Sequence, residues 1–156
     1  MLVGVLASLL TASLLALGWS QATLDSARMQ QTYRALSGTQ TLAEFLARDA
    51  TATAAAGAST ADGATTLTLA WHDQAGDAFT ATYAVKGTSL VRTLSETPAS
   101  GAATTLTRPV ATGLEQPSSG NAVRFILQSG TVEANLIFGA LGQTQSEAVI
   151  EPLRGG

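Results

Sequence analysis

LVGVLASLLTASLLALGWSQATLDSARMQQTYRALSGTQTLAEFLARD (Leu2–Asp49) is the stretch whose reading decides how this chain folds. No ionisable side chain stands between Met1 and Leu24, and the first charge is Asp25. Leu2, Val3, Val5, Leu6, Leu9, Leu10, Leu14, Leu15 and Leu17 make the start apolar on every side of a helix. The hydroxyls of Ser8, Thr11 and Ser13 can bond back to the helix backbone. At about 1.5 Å per residue, roughly 20 residues cross a hydrocarbon layer about 30 Å thick, so the run just reaches spanning length. Trp19 follows at the place where an amphipathic ring sits at a membrane–water boundary.

Two other readings of the run stand beside a membrane or filament-core helix. A secretory signal peptide would use Ser20-Gln-Ala22 as its small-x-small cleavage site, but no Lys or Arg precedes the apolar residues. A buried helix of a soluble domain would normally carry a polar face, and this run has none.

The helical pattern continues past Trp19, which a cleaved signal peptide does not need. From Gln21 to Asp49 there is no Pro and one Gly, Gly38. Met29, Tyr33 and Leu36 recur as i, i+4, i+7, and Leu42, Phe45 and Leu46 read as the continuation of that apolar stripe. Asp25, Arg28, Arg34, Glu44 and Arg48 fall largely off it. Thr41-Leu-Ala-Glu44 fits a capping box, so a break or bend is expected at Gly38 with a restart at Thr41. The expectation is one rod from about Leu2 to about Asp49, apolar all round over residues 1–24 and amphipathic over residues 25–50.

After the rod the chain changes character. Residues 51–64 are low-complexity Ala, Thr and Gly, which reads as a linker. Residues 65–156 carry strand periodicity. Leu67, Leu69 and Trp71 alternate with Thr66, Thr68 and Ala70, and Phe79, Ala81, Tyr83 and Val85 alternate with Thr80, Thr82 and Ala84. The connector His72–Asp77 is a hairpin loop with Gly76 available for a left-handed residue, and Lys86-Gly87-Thr88 turns the chain into Ser89–Leu94. Leu106–Leu114 contains Pro109 and so reads as an edge strand or an irregular crossing. Ala122–Gln128 and Thr131–Phe138 form the clearest hairpin, turning at Ser129-Gly130, and a last strand is expected around Glu147–Glu151. The fold class is therefore α+β, an antiparallel sheet whose apolar face is covered by the amphipathic half of the rod. Met29, Tyr33, Leu36, Leu42, Phe45 and Leu46 are expected to pack on Leu67, Leu69, Trp71, Phe79, Tyr83, Phe125 and Leu136.

Composition excludes several function classes. With 156 residues the chain has room for one domain and an appended segment. Its lack of cysteine removes a disulfide scaffold, a thiolate metal site and a cysteine nucleophile. A pI near 4.9 with scattered basic residues, seven Arg and Lys86, argues against a nucleic-acid surface built from bulk charge. Charged residues make up 12%, about half the usual density of about 25%. The uncharged start accounts for part of that deficit and a Thr-, Ser- and Ala-rich outer domain for the rest. His72-Asp73 with abundant Ser suggests a catalytic triad only superficially, since no nucleophile-elbow motif is present. Asp73 and Asp77 lack the alternating carboxylates of a calcium loop. No catalytic residue, metal ligand or cofactor is assigned.

A long helix, apolar and then amphipathic, ahead of an antiparallel sheet resembles the type IV pilin family, including the pseudopilins of type II secretion. Residues Arg28–Asp49 resemble the second half of the helix in minor pilins and in pseudopilins of the J type, where an Arg-Asp pair, here Arg48-Asp49, commonly ends it. Thr80–Leu94 is similar to their Tyr-x-x-x-x-Gly-x-x-Leu-x-Arg pattern, met here by Gly87, Leu90 and Arg92, with Tyr83 one position nearer to Gly87 than the pattern has it. The resemblance implies a structural subunit with no enzymatic activity. It would sit as a single-pass protein in the inner membrane, with its C-terminal domain periplasmic or extracellular. Its partners would be other pilins or pseudopilins, met through the N-terminal helix, in a machine for secretion, DNA uptake or motility.

Family members begin with a basic leader cut before a Phe-Thr-Leu-Ile-Glu-like segment, and this sequence has neither leader nor glutamate. Met1 falls about where the residue after that glutamate would stand, so a truncated start is expected. Prepilin peptidase is a partner only if a leader lies upstream of Met1. The physical logic stands without the family: an apolar rod leaves a bilayer only for another apolar environment. Gly4, Ala7, Ser8, Thr11, Ala12, Ser13 and Ala16 would allow close helix approach in a filament core. The competing expectation is an exported binding or adhesion domain held by an uncleaved anchor, with no filament role.

Overall fold

The structure is a computed structural model that describes residues 2–53, 55–58, 65–115, 120–128, 130–140 and 143–153. For residues 2–17, 55–58, 140 and 143 it describes the backbone only. The membrane or filament-core assignments from Leu2 to Leu17 therefore fall outside the described side chains.

One helix, α1 (Leu2–Ala52), runs without interruption. The expected break at Gly38 does not occur, and the Thr41–Glu44 capping box sits in mid-helix. Gly38 serves packing instead. A Cβ built there would lie 3.1 Å from Ala111 Cβ and 3.4 Å from Phe138 Cε1. The missing side chain is thus what lets the helix lie directly on the sheet backbone. The helix ends where hydroxyls compete for its carbonyls: the Thr51 Oγ1 donates to the Ala47 carbonyl and the Thr53 Oγ1 to that of Asp49.

Below α1, among the described residues, lie two antiparallel sheets where one was expected. The first has five strands in order: β1 (Ala55–Ala58), β2 (Thr66–His72), β3 (Ala78–Lys86), β4 (Ser89–Thr97) and β5 (Thr104–Thr112). The second has three: β6 (Val123–Gln128), β7 (Thr131–Ala140) and β8 (Gln143–Pro152). Part of the expected linker is thus a strand, with Ala55–Ala58 pairing against Ala70–Leu67. The β2 edge offers a row of unpaired backbone groups, and a short segment of small residues can satisfy them without side-chain packing.

The split between sheets follows from β5. Pro109 stands on this edge strand opposite Val91, where its missing N–H costs no interior ladder bond. The register shifts at the next step, Leu90 pairing with Ala111, so Val110 is the extra residue of a bulge. Val110 and Ala111 are consecutive and both buried, an arrangement that regular alternation would forbid. Gly113 then takes φ 77° and turns the chain away. Leu114 bridges to Phe138 and its N–H donates to the Thr88 carbonyl at 3.0 Å, stitching the sheets together.

The core lies between α1 and both sheets. Ala35, Leu42, Leu46 and Ala50 from the helix meet Leu67, Leu69, Tyr83 and Leu90 of the first sheet, and Phe125, Leu136 and Phe138 of the second. Three expected contacts are corrected. Met29, Tyr33 and Leu36 are 65%, 74% and 50% exposed and cover no sheet. Tyr33 and Leu42 are nine positions apart, about two and a half turns at 3.6 residues per turn, and so project from opposite sides of the helix. The stripe read across Gly38 joined two different faces. The sheet-facing positions upstream of Gly38 belong to small or polar residues such as Ala35.

Candidate functional site

The most chemically distinctive place in the molecule is under the last turns of α1. Leu42, Leu46 and Asp49 are spaced as i, i+4, i+7 and share the buried face, so the helix carries a carboxylate into the core. On the sheet, Tyr83 of β3 and Arg92 of β4 stand directly opposite one another, and both project inward with Leu90. Asp49 and Tyr83 are 0% exposed and Arg92 is 5% exposed.

The three side chains bond directly to one another around the Asp49 carboxylate. Arg92 Nε donates to Asp49 Oδ2 and Arg92 Nη2 to Oδ1, both at 2.7 Å, the bidentate fork that a planar guanidinium allows. The Tyr83 hydroxyl donates to Oδ2 at 2.6 Å. Phe45, one turn before Asp49, puts its ring 5.0 Å from the guanidinium carbon. From the second sheet, the Phe125 ring lies 6.4 Å from that of Tyr83, tilted by 57°. One knot therefore ties the helix end to the first sheet and brings the second against it.

Burial, then the Asp49 charge and hydrogen bond, push the Tyr83 pKa well above the usual phenol range, against a smaller opposing effect of Arg92. For Arg92, burial disfavours the charge, but the hydrogen bonds and charge of Asp49 outweigh it and raise the pKa. Both shifts favour a protonated phenol and a charged guanidinium.

The remaining expected residues are placed as follows. Trp71 and Phe79 are half-buried and stack on each other, with centroids 5.6 Å apart and ring planes 9° from parallel. His72 ends β2 and is exposed. Asp73 Oδ1 accepts the N–H groups of Ala75 and Asp77 at 2.9 Å, and Asp77 Oδ1 accepts that of Ala99 at 2.9 Å. These carboxylates shape the hairpin loop, in which Gly76 takes φ 88°. Among the described residues no group of three or more His, Asp or Glu is placed to hold a metal ion.

The outward face of α1 carries Trp19, 78% exposed, together with Met29, Tyr33 and Leu36. Tyr33, Ser37 and Thr41 line one wall of a groove of about 390 Å³, with Pro109–Thr112 as the other wall. Among the described residues no helix is long and apolar enough to cross a membrane.

Sequence reasoning missed the pairing of Asp49 with Tyr83 and Arg92. Two signals were available: Asp49 continues the Leu42, Leu46 spacing, and Arg92 occupies an inward position between Leu90 and Leu94. A charge on an apolar face marks a buried pair. Comparisons with protein-family models, with curated proteins and with solved structures find no match to this chain.

Proposed function

We propose that the chain is a minor pilin or pseudopilin. In this role it is a structural subunit held in the inner membrane by its apolar start, with the C-terminal domain periplasmic or extracellular. It assembles with other pilins or pseudopilins through the N-terminal helix into a type IV pilus or a type II secretion pseudopilus. The observation that carries the reading is the buried knot. Asp49, Tyr83 and Arg92 are residues on which the resemblance rests, and Asp49 bonds to Tyr83 and Arg92 across 34 and 43 positions of sequence. The exposed apolar residues Met29, Tyr33 and Leu36 on a helix that continues into the uncharged run supply a face for lateral packing.

In cells that naturally carry the gene, chains with a photo-crosslinking amino acid in place of Met29 or Tyr33 should cross-link to other pilin-like subunits when the assembly machinery is present. Deleting the gene should reduce filament formation or secretion. Normal filaments and secretion in the deletion strain, with no cross-link at either position, would exclude the assembly role.

A further inference from the structure

The five-stranded sheet ends in an open edge at β5, where Thr104 to Pro109 are all exposed, whichever face of the strand they occupy. Leu106 and Arg108 stand opposite Leu94 and Arg92 and so project from the core side of the sheet, yet Leu106 is 47% exposed. The buried residues of β5, Val110 and Ala111, come only after this stretch. Pro109 has no N–H to give β4, so its pair with Val91 exchanges no hydrogen bonds of its own. By alternation Leu106 and Arg108 turn their N–H and C=O groups toward β4, while Thr105 and Thr107 turn theirs to the open side.

The charges beside this edge lack partners. Arg108 stands opposite Arg92, a like charge already committed to Asp49, and has no ion pair of its own among the described residues. Glu96, opposite Thr104 on the same face, has none either. Between them, Thr104–Thr107 carries neither the charge nor the proline with which edges are commonly blocked.

These features are self-complementary. A half-turn about an axis at Leu106 sets Thr105 and Thr107 against Thr107 and Thr105 of a second copy, with their open N–H and C=O groups facing. Leu106 then meets Leu106 in a pair without hydrogen bonds, about 4.5 Å between Cα atoms, where apolar side chains touch most closely. In the same register Thr104 meets Arg108. That puts Arg108 of each copy on the same face as Glu96 of the other, two strand spacings or about 10 Å away between Cα atoms, with only a threonine between. A slide by two residues would set Leu106 against Thr104 or Arg108 and lose both the apolar pair and the charge match.

We propose that β5 pairs with β5 of a second copy of this chain, antiparallel about Leu106, with Arg108 of each copy bound to Glu96 of the other. The occupant is a second copy because a single two-fold operation supplies each unpaired group with its complement. The strip is short and falls below the roughly 1,200 Å² of a stable interface, so the pair dissociates on dilution and forms where copies are concentrated. The inference rests on register and charge within the sheet and does not depend on the assembly proposal.

The test is sedimentation of the detergent-solubilised full chain between about 1 μM and 1 mM, a range that spans weak association. A concentration-dependent dimer that weakens with salt is expected. Glu96→Arg and Arg108→Glu should each weaken self-association about tenfold or more, with unchanged melting temperatures, because like charges then meet twice. An equal mixture of the two variants should dimerise again, since each then offers what the other lacks. The chain has no cysteine, so Leu106→Cys should oxidise to a covalent dimer about tenfold faster than Ile150→Cys, 62% exposed on the second sheet. A monomer throughout, a dimer indifferent to both charge variants, variants that fail to associate when mixed, or equal oxidation at positions 106 and 150 would overturn the proposal.

Discussion

Asp49 and Arg92, 43 positions apart in sequence, form a bidentate ion pair with both N–O distances at 2.7 Å and neither side chain more than 5% exposed. The pair joins the end of a 51-residue helix to the middle of a sheet. Hydrophobic packing alone would tolerate small slides of a helix on a sheet, whereas a forked hydrogen-bond pair accepts one register. The same desolvation that makes the pair specific makes it costly to split.

Asp49→Ala should destabilise the folded domain by about 3–5 kcal/mol, because it leaves Arg92 buried without a counter-charge. The double substitution Asp49→Leu with Arg92→Met should recover most of that loss by replacing the pair with apolar volume. Chemical denaturation of the detergent-solubilised chain measures both. Equal stability of Asp49→Ala and the natural chain would show that the pair does not anchor the helix.

Tyr83→Phe removes one hydrogen bond to a charged acceptor and should cost about 1.5–3 kcal/mol. It should also change the alkaline limb of stability. The folded-state pKa of Tyr83 lies above the unfolded value of about 10, so its contribution is complete below pH about 10 and is lost as pH rises toward the folded value. Stability measured against pH should therefore fall above about 10 in the natural chain, with a shallower fall in Tyr83→Phe.

Glycine in a helix normally costs about 1 kcal/mol relative to alanine, yet the two helical glycines with described side-chain surroundings should respond in opposite directions. Gly38→Ala would place a methyl 3.1 Å from Ala111 Cβ and should destabilise by about 1–3 kcal/mol through overpacking. A Cβ at Gly18 meets nothing within 4 Å, so Gly18→Ala should stabilise the helix. Thermal melts of the two variants should move apart.

Tyr33→Glu should leave the melting temperature of the isolated chain almost unchanged, because the side chain is 74% exposed, while reducing cross-linking to other subunits in cells. A large loss of stability would mean that Tyr33 packs on the sheet after all. Unchanged cross-linking would remove this helix face from the assembly surface.

The long helix, the first meander and the second hairpin were legible because each rests on local periodicity. Leu67, Leu69 and Trp71 alternate as a strand must, and no Pro interrupts residues 21–49. Met29, Tyr33 and Leu36 were misassigned for an equally definite reason. Hydrophobicity along a helix names candidate faces, and only the phase across Gly38 says which one meets the sheet. Small residues win there because the backbones approach closely.

The linker strand β1 and the division into two sheets were not legible. The first depends on an open edge at β2 and the second on a bulge at Val110, and both arise from pairing partners distant in sequence. The candidate site behaves the same way. The sequence by itself determined the fold class, the uncharged start and the hydroxyl-rich strands, since composition and period are properties of neighbouring residues. Tertiary structure alone decided that Asp49, Tyr83 and Arg92 share one buried knot, and that Glu96 and Arg108 stand on one face beside the open edge of β5. Register between distant segments is set by packing and hydrogen bonding over the whole fold.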